Sequence, residues 1–312
     1  MALSVTIPPK SRSLLVFFLL AFAISWIVWI PAALASHGLL SFQLSPSITS
    51  LLGAFGPSAA ALITTGVYDG RAGLRSLFRR LLTWRVGLQW YLFVLFWPAL
   101  LSSAGTALAV LFGSSLPEFA QPPFVHLYPL PSDLSNVNPL LFLPFVFLQQ
   151  TLIGSSMGEE IGWRGYALPR LEAHRNALYA SAVLGIMWGV WHLPLWLTEG
   201  YPLAKGFLGW TLLGLVADSV LFTWVYNNTR ESLLLALLFH TSIAITGLFL
   251  SSAESCAQIG LALKWSVVVV VIFAFGPEHL SHKATAAGES SVRNVVGSDC
   301  RRPVDDHSLW KE

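Results

Sequence analysis

Long apolar blocks recur along this chain, separated by short polar interruptions. They fall at 14–35, 48–68, 87–113, 139–160, 177–197, 206–226, 232–252 and 258–276. A block of about 20 apolar residues is the length that crosses a bilayer as a helix. Helices suit that environment because all their backbone polar groups are satisfied internally. The pattern therefore predicts an all-α membrane protein of about eight transmembrane helices.

Charge sets the orientation. Arg71, Arg75, Arg79, Arg80 and Arg85 crowd the second loop, and the positive-inside rule makes that loop cytoplasmic. Both termini are then cytoplasmic, with Lys10 and Arg12 at the start and Arg293, Arg301, Arg302 and Lys311 near the end. Lys205 is the basic residue in the outside loops, and Lys264 is expected near the outer end of the last span, where it could snorkel. Three parts follow: a cytoplasmic N-terminus at 1–13, a membrane domain at 14–276, and a polar tail at 277–312 expected to be disordered.

Composition sharpens this reading. Only 11% of the 312 residues are charged and 54% are hydrophobic, whereas a soluble domain carries roughly 25% charged residues. Thirteen tryptophans fit anchoring at the two membrane interfaces. The first block is too long for a signal peptide and is expected to be retained. Cys256 falls outside and Cys300 inside, so the two cannot pair. Residues 71–86 carry Leu74, Leu77, Phe78, Leu81 and Leu82 at helical spacing among the arginines, which predicts a basic amphipathic helix on the inner membrane surface. Residues 114–138, rich in Pro and Ser, are expected to form an outer loop, and no internal repeat is evident.

Candidate chemistry gathers where charge interrupts the apolar blocks, because an ionisable group in hydrocarbon is costly and is a functional candidate by default. Gly158-Glu159-Glu160-Ile161-Gly162-Trp163-Arg164 ends the fourth block. Glu160 and Arg164 are four apart on one helix face and can pair. Glu159 points about 100° away and is left free for general-base work. His192 lies as far after Asn176 as Glu160 lies before it, so a helical hairpin turning there brings the two to one depth. Asp218 and His240 stand in a similar relation about Asn228-Thr229, which would let Asp218 orient the imidazole from behind. Each histidine alone is better explained by hydrogen-bonded packing. Carboxylates and two histidines at matching depths favour a site that activates water.

These residues resemble the CPBP family, also called the Abi or CAAX protease family, of type II CAAX prenyl endopeptidases and bacteriocin-processing or immunity proteins. Its E-E-x-x-x-R motif is matched by Glu159, Glu160 and Arg164. Its F-x-x-x-H motif is matched at His192, with Trp188 in place of Phe. Its H-x-x-x-N motif is matched at His240 only, because Ala244 stands where the asparagine should be. The family core would cover roughly 139–252.

The resemblance implies an intramembrane endopeptidase. Glu159 would activate water in a cavity open to the cytoplasm, His192 would assist, and His240 would help stabilise the oxyanion. The Glu160–Arg164 pair would hold the fourth helix in shape, with Asp218 and Trp188 supporting the catalytic residues from behind. Glu159, His192 and His240 could hold zinc or another divalent metal, or the site could work without one. The implied partners are a peptide or membrane-protein substrate and the lipid bilayer, with no nucleic acid, and the implied location is a prokaryotic plasma membrane. Ala244 keeps a second reading open: a catalytically impaired immunity or scaffold protein of the same fold. A small proton-relaying transporter is a third.

Overall fold

A computed structural model describes residues 9–41, 46–117, 122–124, 137–201, 207–250 and 254–282. Among these residues the architecture is entirely helical, and it is that of a multi-span membrane protein. Its helices are α1 (Pro9–Ser36), α2 (Pro46–Ala54), α3 (Gly56–Tyr68), α4 (Gly70–Leu81) and α5 (Leu88–Leu111). After a short 3₁₀ turn come α6 (Leu143–Ile153), α7 (Ser155–Gly162), a π-helical turn (Trp163–Ala167) and α8 (Leu168–Glu172). Then follow α9 (Ala177–Trp191), the short α10 (Leu193–Trp196), α11 (Leu208–Asn228), α12 (Leu233–Phe249) and α13 (Glu254–Phe275).

Among the described residues six stretches are long and apolar enough to cross a membrane: Arg12–Ser36, Ile48–Tyr68, Leu88–Leu111, Pro139–Glu172, Leu208–Asn228 and Cys256–Phe275. The shorter apolar helices Ala177–Trp191 and Leu233–Phe249 complete the eight segments read from the sequence. Two differ from expectation. The fourth runs beyond 160 to Glu172 and is broken at Gly154, whose extended backbone separates α6 from α7. The fifth stops at Trp191 rather than at 197, because Pro194 cannot continue the hydrogen-bond ladder.

Local chemistry explains the turns between these helices. Asn176 caps α9 by accepting from the Tyr179 amide at 2.8 Å, and Ser232 caps α12 by accepting from the Leu235 amide at 3.2 Å. The first amides of α9 have another partner: Ala177 and Leu178 donate to the carbonyls of Glu278 and Pro277 at 2.8 and 3.0 Å. Leu280 is fully buried, and Asn227 and Asn228 donate to the carbonyls of His279 and Leu280. Residues 277–282 are thus a packed cap on α9 and α11, not part of a loose tail. The remainder of the expected tail, 283–312, lies outside the described residues, as does most of the expected outer loop at 114–138.

The amphipathic segment forms α4, with Leu77 buried and Arg71, Arg75 and Arg79 exposed. Arg80 turns inward and donates to the Tyr226 hydroxyl at 3.0 Å and the Gly165 carbonyl at 3.2 Å.

At the centre of the bundle, α7 packs between α3 and α12, while α9 packs on α11 and α13 against α5 and α11. Gly158 and Gly162, one turn apart, let α7 approach backbone to backbone. A Cβ at Gly158 would stand 2.5 Å from the Ala54 carbonyl oxygen, and one at Gly162 would stand 2.6 Å from Pro57. Small residues four apart serve this purpose in membrane helices, where close van der Waals contact drives association. The approach fixes the face of α7 that carries Glu159 and Glu160.

Candidate active site

The π-helical turn Trp163–Ala167 follows the Glu-Glu pair by two residues, and such turns are frequent at functional sites. Glu160 and Arg164 lie one turn apart and are both fully buried. Arg164 Nη1 donates to both Glu160 oxygens, at 2.9 and 3.0 Å. The other edge of the guanidinium, Nε and Nη2, has no hydrogen-bond partner among the described residues. Its flat face instead lies over Phe222, with Cζ 3.9 Å from the ring centroid, and over Trp188 at 4.6 Å.

Glu160 has a second partner. His240, from α12, donates through Nδ1 to Glu160 Oε1 at 2.7 Å. That bond fixes the ring and turns Nε2 toward Glu159, whose Oε1 is 4.0 Å away. The expected partner of His240 was Asp218, and the structure corrects this. Asp218 pairs with Lys264, Nζ to Oδ2 at 2.7 Å, while Glu160 orients the imidazole. Lys264 therefore does not snorkel outward: it sits near the middle of α13, where a carboxylate on α11 offers it a partner.

Glu159 is 3% exposed. Its Oε2 accepts from Trp188 Nε1 at 2.6 Å. Trp188 was expected to keep the aromatic packing of the motif's Phe and to support the catalytic residues from behind. Instead the indole N–H holds the carboxylate directly, and the ring also lies against His240, with centroids 5.7 Å apart.

His192 sits at the junction of α9 and α10. The tightened helix end gives its amide to Gly189, so the Trp188 carbonyl is free to accept from His192 Nδ1 at 2.8 Å. A carbonyl can only accept, so Nδ1 carries a proton, and in the neutral imidazole Nε2 keeps its lone pair. Among the described residues no hydrogen bond or ion pair joins His192 to Glu159 or Glu160. His192 stacks against Trp29 and packs edge-on to Trp191.

A row of hydroxyl groups flanks His240. Thr241 Oγ1 lies 2.9 Å from Ser156 Oγ and 3.0 Å from Thr151 Oγ1, and Ser155 Oγ lies 3.5 Å from His240 Nε2. Sequence reasoning missed these residues. The available signal was Gly154-Ser155-Ser156, three small residues breaking an apolar run as a helix restart would. Ser242 faces away and donates to the Leu238 carbonyl at 2.9 Å.

Of the three residues considered as metal ligands, Glu159 and His240 face each other 4.0 Å apart, and no hydrogen bond or ion pair joins His192 to Glu159 among the described residues. Among the described residues no group of three His, Cys, Asp or Glu side chains is arranged to hold a metal ion. As arranged, these side chains do not form the four-coordinate N and O donor set that zinc takes.

The arrangement offers a desolvated carboxylate, an imidazole facing it across a short gap, and hydroxyl donors on the imidazole's flank. Residues 137–246, which include all of these groups, match the model of a family described as type II CAAX prenyl endopeptidase Rce1-like. A CAAX prenyl protease 2 from Methanococcus maripaludis is 28% identical over 137 residues, covering 42% of this chain and 49% of that protein. A UPF0397 protein from Lactobacillus johnsonii is 27% identical over 95 residues, covering 29% of this chain and 51% of that protein. The chain thus spans about half the length of the curated relatives it matches.

Proposed function

Because residues 137–246 form an Rce1-like domain, we propose that this chain is an intramembrane endopeptidase in which Glu159 activates the attacking water. The observation that carries the reading is the 4.0 Å separation between Glu159 Oε1 and His240 Nε2. It is too long for a direct hydrogen bond and short enough for one water to bridge both atoms.

Glu159 takes a proton from that water, whose oxygen attacks the scissile carbonyl carbon. The new oxyanion lies beside His240, which donates through Nδ1 to Glu160 and, as the doubly protonated imidazolium, donates through Nε2 to the oxyanion. Ser155 Oγ, 3.5 Å from the same nitrogen, is the nearest side-chain hydroxyl that can donate to the oxyanion. As the C–N bond breaks, Glu159 returns its proton to the leaving amine, and the acyl product departs as a carboxylate. Trp188 positions Glu159, while Glu160 and Arg164 position His240. His192 Nε2, with its free lone pair, assists proton movement at the rim of the site.

The substrate class is a peptide segment held at the membrane, and the location is a prokaryotic plasma membrane. Cleavage of a membrane-peptide library by the purified chain, compared with Glu159→Gln, tests the reading. Cleavage by the wild type and its loss in a folded variant is expected. No cleavage by either protein, while an active relative cleaves alongside, overturns it. That outcome favours a second reading, an immunity or scaffold role, for which the observation is Ala244 at the position of the family's asparagine.

A further inference from the structure

A second polar feature lies away from the Glu159 site. A cavity of about 370 Å³ opens between α5, α11, α12 and α13. That volume falls within the range of ligand pockets, roughly 300–1,000 Å³. Its walls are mostly apolar, with Trp97 and Trp210 among them; Ser102, Thr211 and Thr246 also line it, and its one charged element is the Lys264–Asp218 pair. Both residues sit near the middle of membrane-crossing helices, where an ion pair is costly to bury and marks a functional position.

The pair is asymmetric. The Lys264 side chain is 19% exposed and that of Asp218 is 10% exposed, so the ammonium is the more accessible member. An ammonium has three N–H donors. One goes to Asp218 Oδ2, and no other hydrogen bond from Nζ is formed among the described residues. The cavity thus combines an apolar volume with a cationic donor that retains hydrogen-bonding capacity.

We propose that this cavity binds a single-chain amphiphile with a carboxylate head, of the fatty-acid class. The chain fills the apolar volume and the carboxylate takes the free N–H donors of Lys264. A neutral head would accept from the ammonium without the attraction between opposite charges, and a cationic head would meet the ammonium. The proposal does not depend on the protein being a protease, and its test reads binding alone.

The test uses tryptophan quenching in the full-length chain held in nanodiscs. The probe is 9,10-dibromostearate, compared with the dibrominated alcohol, the dibrominated amine and a dibrominated phosphatidylcholine. The expected result is saturable quenching by the acid, about tenfold tighter than by the alcohol, on the scale of one charge-assisted hydrogen bond. Trp97→Phe with Trp210→Phe should remove most of that quenching. Lys264→Gln should erase the preference for the acid. Because that variant leaves Asp218 without its partner, Lys264→Met with Asp218→Leu serves as a charge-free control whose fold is checked by thermal unfolding. Equal quenching by acid, alcohol and phospholipid overturns the proposal, since it reports general lipid contact. A preference for the amine, or one for the acid that survives in the charge-free variant, overturns it equally.

Discussion

Trp188 Nε1 lies 2.6 Å from Glu159 Oε2, so the residue that replaces the expected phenylalanine adds a donor to the carboxylate proposed as the base. Both side chains are buried, at 5% and 3% exposure, and water cannot readily substitute for that bond. The bond leaves Oε1 as the oxygen facing His240. Trp188→Phe keeps an aromatic ring and removes the donor. Turnover should fall about 10- to 100-fold, the scale of one hydrogen bond to a charged group, with little change in KM. Steady-state kinetics beside thermal unfolding checks this. Unchanged turnover in the folded variant would reduce the indole to packing.

The Glu160–Arg164 pair makes a prediction about stability. Both side chains are fully buried, and Glu160 also anchors His240. Removing one partner leaves an uncompensated buried charge, so Arg164→Met should destabilise the fold by about 3–5 kcal/mol. Glu160→Leu combined with Arg164→Met should cost less than either single change, although His240 then loses its orienting partner. Thermal unfolding of the three variants in one detergent decides it. A double variant less stable than both singles would show that the pair itself, not its desolvation balance, holds the helix.

What the sequence disclosed divides along one physical line. Hydropathy over long windows located the membrane segments, because crossing hydrocarbon imposes length and composition on each helix separately. The Glu160–Arg164 pair was legible for a similar reason: four residues along one helix is a local relation. Contacts between helices were not legible in the same way. That Glu160 rather than Asp218 orients His240 depends on how far α7 and α12 are rotated about their axes. Lys264 was read as snorkelling because its partner lies on another helix. The break at Gly154 and the cap formed by residues 277–282 also depend on tertiary packing, through hydroxyl neighbours on α12 and through the amides of α9.

Close backbone approach should make α7 intolerant of added volume. A Cβ at Gly158 would meet the Ala54 carbonyl oxygen at 2.5 Å, and a backbone atom cannot swing aside as a flexible side chain can. Gly158→Ala should therefore cost about 1–3 kcal/mol, as overpacking does. The adjacent Glu159 should shift with the helix, lowering activity as well. Gly247, where an added Cβ meets nothing within 4 Å, supplies the control: Gly247→Ala should leave both quantities nearly unchanged. Equal effects at the two glycines would remove the packing argument.

Ala244 and Ser155 pose the question of how an oxyanion is held. An asparagine one turn beyond His240 would share its face, and this chain has only a methyl group there. Ser155 Oγ, from the restarted helix α7, stands 3.5 Å from His240 Nε2 and is the nearest side-chain donor able to compensate. If it does, Ser155→Ala should lower kcat by about 10²–10³, the usual effect of removing an oxyanion donor. Ala244→Asn should raise turnover in the wild-type background by about tenfold, and by more when Ser155 is absent, because the two donors then serve one charge. Measuring kcat for the two single variants and the double variant gives the coupling directly. Strict additivity would mean that the two positions act on different steps, and a Ser155→Ala variant with full activity would place the compensating donor on the backbone of α7 instead.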